Sequence, residues 1–124
     1  GWVDTISTDH APHTSEDKMQ GAPGISGIET AFSLCYTNLV KGGHITLNRL
    51  SEIMSKNPSD ILGVKKGRIT VGYDGDLVLL DLNREHNIQK DKFLSKGKNT
   101  PFEGYRVFGD VVKTIKAGKV VFER

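Results

Sequence analysis

The apolar residues that follow position 27 recur at helical spacing. Five of them lie on one face of a helix predicted over Ile28–Lys41: Ile28, Ala31, Phe32, Cys35 and Leu39. Gly42 and Gly43 end this helix, because a glycine pair after the last apolar position is a common stop signal.

A second helical pattern follows the glycine pair. Thr46 or Asn48 can cap this helix at its N-terminus. Its apolar face is formed by Leu47, Leu50, Ile53 and Met54. Proline favours the start of a helix, so a third and short helix is predicted over Pro58–Leu62, ending at Gly63.

The pattern becomes strand-like after about residue 63. The stretch GRITVGYDGDLVLLDL places a turn at Gly72–Gly75 before the apolar run Leu77–Leu80, which is typical of a buried strand. VVKTIKAGKVVFE predicts a β-hairpin that turns at Ala117 and Gly118. The chain therefore divides into a part with strand, loop and helices, residues 1–62, and a β-rich part, residues 63–124.

The N-terminal stretch predicts one strand and one long loop. Val3–Ser7 is apolar enough for a strand, and Thr8–Gly27 is expected to lack regular structure. Loops of about 20 residues are unusual in a compact domain and are commonly functional. A strand, a loop and then helices indicate an α/β fold.

Composition and charge narrow the class of protein. Hydrophobic residues make up 36% of the chain and charged residues 26%, and no apolar run approaches the ~20 residues that span a bilayer. Residues 84–124 carry 10 Lys/Arg against 5 Asp/Glu, net +5, but these lysines are dispersed. We therefore expect neither a membrane nor a nucleic acid as partner. The single cysteine, Cys35, forms no disulfide within the chain and suits a cytoplasmic protein.

The heptapeptide STDHAPH places Asp9, His10 and His13 where the predicted strand ends. A carboxylate at a strand end can bind a metal or transfer a proton. The alternative is a structural role for Asp9 in a turn. His10 and His13 lack the i, i+4 spacing of a helical metal pair, and Pro12 disfavours a helix here, so these histidines alone do not predict a zinc site.

The loop also contains GAPGISG, residues 21–27. Glycines allow backbone N–H groups to approach a ligand closely. It is not a phosphate-binding loop, since no GxGxxG and no Lys-Ser/Thr pair is present. The alternative function is a connector between elements.

Five stretches carry a family resemblance, in this order: STDHAPHTSEDK, GAPGISGIETAF, GRITVGYDGDLVLLDL, SKGKNTPFEGY and GDVVKTIKAGKVVFE. Together they resemble the C-terminal portion of bacterial dihydroorotases, of the amidohydrolase superfamily, over nearly the whole chain. TDHAPH followed by a GIxGxET loop is specific within the superfamily. The DLVLLDL stretch and the terminal hairpin are shared with allantoinases and hydantoinases.

The resemblance implies a fold in two pieces. Residues 1–62 would supply the last strand, the loop and the helices of a (β/α)8 barrel. Residues 63–124 would supply the C-terminal strands of a small β-sandwich. Such a barrel needs ~250 residues, so the resemblance implies a fragment of a longer enzyme.

The resemblance also implies a chemistry. Dihydroorotases interconvert L-dihydroorotate and N-carbamoyl-L-aspartate in pyrimidine biosynthesis, using two zinc ions. Asp9 matches the family aspartate that contacts a metal and acts as general base. His13 matches the histidine that contacts the substrate carboxylate, and the backbone of Pro23 and Gly24 matches the pair that hydrogen-bonds the ring. His10 is expected only to support its neighbours.

The chain departs from the family in its metal ligands. The HxH pair, the bridging acidic group and two later histidines are missing, and neither His44 nor His86 lies in an HxH pair. This chain alone is therefore expected to bind no zinc and to lack activity, and to associate as a homodimer or a larger species. Three alternatives remain: an allantoinase or hydantoinase, a non-catalytic dihydroorotase-like subunit that partners aspartate carbamoyltransferase, and a stand-alone β-rich binding module.

Overall fold

The computed structural model describes residues 2–124. Four α-helical segments precede three strands: α1 (Ser15–Met19), α2 (Ala31–Cys35), α3 (Leu47–Ser51), α4 (Asn57–Leu62), β1 (Leu77–Asn87), β2 (Arg106–Lys116) and β3 (Lys119–Glu123). A single 3₁₀ turn, Lys90–Lys92, lies between β1 and β2. This content confirms the predicted order of helices followed by strands.

The first predicted helix is present but begins three residues later than expected. It starts at Ala31, continues through the π-helical segment Tyr36–Lys41 and ends at Gly42. Ile28 precedes the helix and is 58% exposed, so its assignment to the apolar face was wrong. The aromatic rings of Phe32 and Tyr36 stack on that face with centroids 5.7 Å apart.

The second and third predicted helices form one uninterrupted helical stretch. Thr46 caps it, its hydroxyl accepting a hydrogen bond from the Arg49 N–H at 3.1 Å. The short helix predicted over Pro58–Leu62 is confirmed as α4, which ends at Gly63, and the π-helical segment Glu52–Lys56 joins it directly to α3. Proline lacks an amide hydrogen and crowds the preceding turn, and the wider turn before Pro58 accommodates both effects.

The N-terminal strand predicted over Val3–Ser7 does not form within the described residues. The Ile6 N–H donates to the Ile53 carbonyl at 2.9 Å, and the side chains of Arg49 and Asn57 donate to the Val3 and Asp4 carbonyls, each at 2.8 Å. A strand exists only through hydrogen bonds to lateral neighbours, and this chain supplies none for the segment. The loop Thr8–Gly27 was also predicted incorrectly, since it contains α1.

The three strands form one antiparallel sheet in the order β1-β2-β3. The predicted hairpin is confirmed, with Ala117 and Gly118 in the left-handed region at φ 49° and 75°. The run Leu77–Leu80 lies in β1 but is largely exposed, with Val78 at 56%, so its prediction as a buried strand was wrong. Leu77 and Leu79 point to the opposite face from Val78 and are also exposed, at 37% and 45%.

The helices pack on β2 through a small polar and aromatic contact. The Ser33 hydroxyl donates to the Gly109 carbonyl at 2.5 Å, and the Phe108 N–H donates to the Thr37 hydroxyl at 2.8 Å. A Cβ at Gly109 would lie only 2.8 Å from the Phe32 ring. Glycine therefore allows this close approach of helix and strand. Among the described residues, no helix is long and apolar enough to cross a membrane.

Candidate active site

Asp9 lies in an unusual backbone conformation at the start of the loop. Its φ is 44°, in the left-handed region that aspartate tolerates better than most residues. The side chain is exposed, and its backbone N–H is 3.5 Å from the Ser7 hydroxyl. Within residues 2–124 no donor contacts the carboxylate, so both oxygens of Asp9 are available to a ligand.

His10 holds the two ends of the loop together. Its Nδ1 accepts hydrogen bonds from the backbone N–H groups of Gly27 at 3.2 Å and Ile28 at 3.4 Å. Nδ1 therefore carries no hydrogen, and the proton of the neutral ring is on Nε2. His10 also forms a parallel bridge with Ile25. The supporting role expected for His10 would thus consist of hydrogen bonds that connect the start of the loop to its end.

His13 and Gly24, two of the predicted substrate-binding residues, lie side by side. A Cβ built at Gly24 would be 3.5 Å from His13 Nε2 and only 2.6 Å from the Ala11 Cβ. Gly24 has φ 110°, a conformation that L side chains rarely adopt. Pro23 is exposed next to them. The structure thus brings His13 to the Pro23–Gly24 pair, whereas Asp9 makes no direct contact with them.

The carbonyl of Gly24 is held by two side chains. Asn99 Nδ2 and Lys18 Nζ each donate to it at 3.0 Å. Asn99 comes from the segment between β1 and β2, some 75 residues along the chain. The orientation of the Gly24 peptide is therefore determined jointly by the loop and by the β-rich part.

Ser26 and Glu29 extend this connection between the two parts. The buried Ser26 donates its hydroxyl to the Gly97 carbonyl at 2.6 Å and its N–H to the Asn99 carbonyl at 2.7 Å. Glu29 accepts the N–H groups of Leu94 at 2.8 Å and Ser95 at 2.9 Å. We call the set Gly24, Ser26, Glu29 with residues 94–99 the loop clamp.

The loop clamp was missed in the sequence analysis. Its two halves lie in or directly next to two of the stretches that carry the family resemblance, GAPGISGIETAF and SKGKNTPFEGY. Their presence in the same resemblance was the available signal that they act together. Spacing along the chain could not reveal the contact, because no local periodicity relates residues some 70 positions apart.

The short helix α1 is stabilised at its N-terminus by a capping box. The Asp17 N–H donates to the Thr14 hydroxyl at 3.1 Å, and the Thr14 N–H donates to the Asp17 carboxylate at 3.1 Å. The hydrogen bonds from Thr14 lower the pKa of the Asp17 carboxyl below its usual 3.8. The cap fixes the chain direction directly after His13.

The donor set for a metal ion is incomplete in this chain. Within residues 2–124, no group of three His, Cys, Asp or Glu side chains is placed to hold a metal. The free carboxylate of Asp9 has the chemistry of one ligand, since zinc accepts carboxylate oxygen. Further ligands would have to come from residues outside this chain.

A cavity of about 350 Å³ opens beside His13. Its walls are the start of α1 and the segment 90–100, and its ionisable groups are His13, Lys18, Lys90, Lys96 and Lys98. A larger groove of about 680 Å³ lies between α2 and the sheet. The smaller cavity shares His13, Lys18 and Asn99 with the candidate site.

Comparison with known proteins identifies the family. The sequence model of the amidohydrolase family matches residues 1–121. The chain belongs to the amidohydrolase family. Over all 124 residues it is 52% identical to a dihydroorotase of Clostridium botulinum. It is 50% identical to a dihydroorotase of Bacillus cytotoxicus over 128 aligned positions.

The amidohydrolase assignment also holds at the level of structure. The L-hydantoinase (dihydropyrimidinase) from Arthrobacter aurescens superposes on 99% of this chain with a TM-score of 0.93 and 37% identity. The chain covers 29% of that hydantoinase, and 31% and 30% of the two dihydroorotases. This amidohydrolase chain therefore spans about a third of the length of the relatives it matches.

Proposed function

We propose that this chain is the C-terminal segment of a longer, zinc-dependent dihydroorotase. The full protein would interconvert L-dihydroorotate and N-carbamoyl-L-aspartate in pyrimidine biosynthesis, in the cytoplasm and as a homodimer or larger assembly. The observation that supports this most is the 52% identity to the Clostridium botulinum dihydroorotase across all 124 residues. Identity to the superposed hydantoinase is lower, at 37%.

The proposed architecture divides the chain at about residue 62. Residues 1–62 would complete a (β/α)8 barrel, and residues 63–124 would complete a β-sandwich domain. Val3–Ser7 gains its strand hydrogen bonds only when neighbouring barrel strands are present. The exposed face of β1 is consistent with a missing second layer of the sandwich.

In this proposal Asp9 acts at the metal site. Two zinc ions in the full protein would supply an activated hydroxide and polarise the ring amide carbonyl. Asp9 would be one ligand and the general base, and the other ligands would come from the rest of the protein. Its free, exposed carboxylate takes the proton during ring opening and returns it to the departing ring nitrogen.

His13 and the Pro23–Gly24 pair would position the substrate. The imidazole of His13, when protonated, donates a charge-assisted hydrogen bond to the substrate carboxylate. The backbone of Pro23 and Gly24 would hydrogen-bond the pyrimidine ring. Two hydrogen bonds support this role, since Asn99 of the loop clamp and Lys18 both donate to the Gly24 carbonyl and so fix the orientation of its peptide.

The proposal is tested with the full-length protein that contains this chain. Purified protein should open L-dihydroorotate, lose this activity on chelation and recover it with added zinc, as followed by the ultraviolet absorbance of the substrate. Asp9→Asn should abolish turnover, because an amide cannot accept the proton. Asparagine also tolerates a positive φ, so the loop conformation is retained. Residual activity near wild type in Asp9→Asn would refute the catalytic assignment.

The same assay separates the alternatives. Preferential hydrolysis of hydantoin or allantoin would identify a different cyclic amidohydrolase. A protein inactive on all three substrates, yet able to bind aspartate carbamoyltransferase, would be a non-catalytic subunit. The 124-residue chain assayed alone should be inactive, since its donor set for zinc is incomplete.

A further inference from the structure

The small cavity beside His13 has an unusual charge. Four lysines and one histidine line it, and its remaining lining residues are neutral: Thr14, Ser15, Asn99 and Thr100. No carboxylate contributes to its wall. We call it the lysine cavity, defined by His13, Lys18, Lys90, Lys96 and Lys98.

The lysines of the cavity are not neutralised by neighbours. Across residues 2–124, none of the four takes part in an ion pair. Two acids close to the cavity are engaged in other hydrogen bonds: Asp17 caps α1, and Glu103 accepts the backbone N–H of Lys90. Like charges gathered in a concave surface strengthen one another's field and attract counter-ions.

Two of the lysines are anchored and two are free. Lys18 Nζ donates to the carbonyls of Ala22 and Gly24, and Lys98 Nζ donates to the carbonyl of Phe93. These carbonyls fix the ammonium groups without cancelling their charge. The exposed Lys90 and Lys96 make no side-chain hydrogen bond within the described part of the chain, so their ammonium groups are available to a ligand.

We propose that the lysine cavity is an anion-binding site that captures a dicarboxylate next to the candidate active site. The inference rests on the proposed function, in which N-carbamoyl-L-aspartate carries two carboxylates and L-dihydroorotate carries one. His13 lines the cavity, and its Nε2 lies 3.5 Å from the position that a Cβ at Gly24 would occupy. A dicarboxylate held by Lys90 and Lys96 would therefore lie beside His13, the residue proposed to bind a substrate carboxylate.

We expect the site to prefer a ligand with two carboxylates over one with a single carboxylate. Two probes that differ only in this respect can test it. Succinate and its monoamide, succinamate, have nearly the same size, but succinate has one more carboxylate. Both are measured as inhibitors of the full-length enzyme against L-dihydroorotate. Inhibition constants are the readout, because the reaction equilibrium forces kcat/KM in the two directions to change by the same factor.

The test variant is Lys90→Gln with Lys96→Gln. We expect the inhibition constant of succinate to rise about tenfold at low ionic strength and that of succinamate about threefold or less, since surface charges alter encounter by such factors. The difference should shrink at an ionic strength of about 1 M, where the Debye length is ~3 Å. Lys90→Arg with Lys96→Arg should retain the affinity for succinate.

The control variant is Lys65→Gln with Lys119→Gln, which removes the same charge from exposed positions outside the cavity. If the control raises the succinate constant equally, or if the test variant changes neither constant, the inference is wrong. Calorimetry of succinate binding to the wild type distinguishes the proposed dihydroorotase function from the proposed anion site. A protein that binds succinate through Lys90 and Lys96 but does not open L-dihydroorotate would refute the proposed function and retain the anion site.

Discussion

At the scale of single residues, the site depends on backbone positions that few side chains can occupy. Gly24 combines φ 110° with a position at which a Cβ would lie 2.6 Å from the Ala11 Cβ. Gly21 has a similar φ of 86° but open space around its Cα. Substitutions at these two glycines can therefore be compared: backbone strain arises at both positions, whereas a steric clash arises only at Gly24.

Gly24→Ala should impair substrate binding far more than Gly21→Ala. Both changes cost about 1 kcal/mol of backbone strain. Only at Gly24 must Ala11 move as well, because the new Cβ would lie 2.6 Å from the Ala11 Cβ and 3.0 Å from the Ala11 carbonyl oxygen. In the full-length protein we expect KM to rise at least about tenfold for Gly24→Ala and about twofold for Gly21→Ala. Equal effects in steady-state kinetics would contradict this assignment of the contact.

The cap of α1 predicts a pH dependence of loop order. The Thr14 hydrogen bonds lower the pKa of Asp17 in the folded chain, so they stabilise the loop above the usual pKa of 3.8. This contribution is lost as the pH falls through the lowered folded pKa. The protection factors of amide exchange for residues 15–19 should therefore fall at that acidic end. In Asp17→Asn this pH-dependent fall should be absent. An unchanged acid response in that variant would exclude Asp17 as its cause.

At the scale of elements, sequence patterns predicted those helices and turns that are determined by interactions between residues close together in the chain. The helix containing Phe32 and Leu39 and the hairpin at Ala117 follow from apolar spacing and turn chemistry. Val3–Ser7 was predicted as a strand from its apolar character, but pairing requires neighbours that this chain does not contain. Asp9 and His13 were singled out as candidates because they are close in sequence. Asn99 and Glu29 were not, because their partners are tens of residues away.

The contact of α2 with β2 predicts a stability effect at Gly109. An added Cβ would lie 2.8 Å from the Phe32 ring and 3.0 Å from the Tyr36 ring. We expect Gly109→Ala to lower the free energy of unfolding by about 2–4 kcal/mol, the sum of overpacking and backbone strain. Gly104→Ala is the control, with φ 77° and open space, and should cost only about 1 kcal/mol. Denaturant unfolding of both variants measures the difference, and equal costs would be inconsistent with a packing role.

At the scale of the whole molecule, the chain exposes more surface than a compact protein of its mass. Its accessible area is 8596 Å², whereas a folded monomer of 13.6 kDa exposes about 6,600 Å². Among residues 2–124, only Leu50, Ile53, Ile88 and Val107 are buried large apolar residues. The excess of roughly 2,000 Å² is the size of an obligate interface.

The isolated chain should therefore self-associate. Leu77, Ile115 and Val120 are paired across the three strands and form an apolar row that ends at the edge strand β3. Light scattering should give a mass above 13.6 kDa, and Val120→Lys should reduce it, because charge at an edge opposes strand pairing. A monodisperse 13.6 kDa wild type with cooperative unfolding would show that this exposed surface does not drive self-association.

The loop clamp bears on how such enzymes could exchange segments. A crossover between two related genes near Gly63 would pair the loop of one protein with residues 94–99 of the other. Most of the bonds involve backbone groups of that segment, which any relative can supply. The Asn99 amide and the small Gly97, where a Cβ would meet Pro12 at 2.5 Å, are the exceptions. Hybrids should retain the loop clamp where the loop comes from a parent with Ser26 and Glu29 and the later segment from a parent with Gly97 and Asn99.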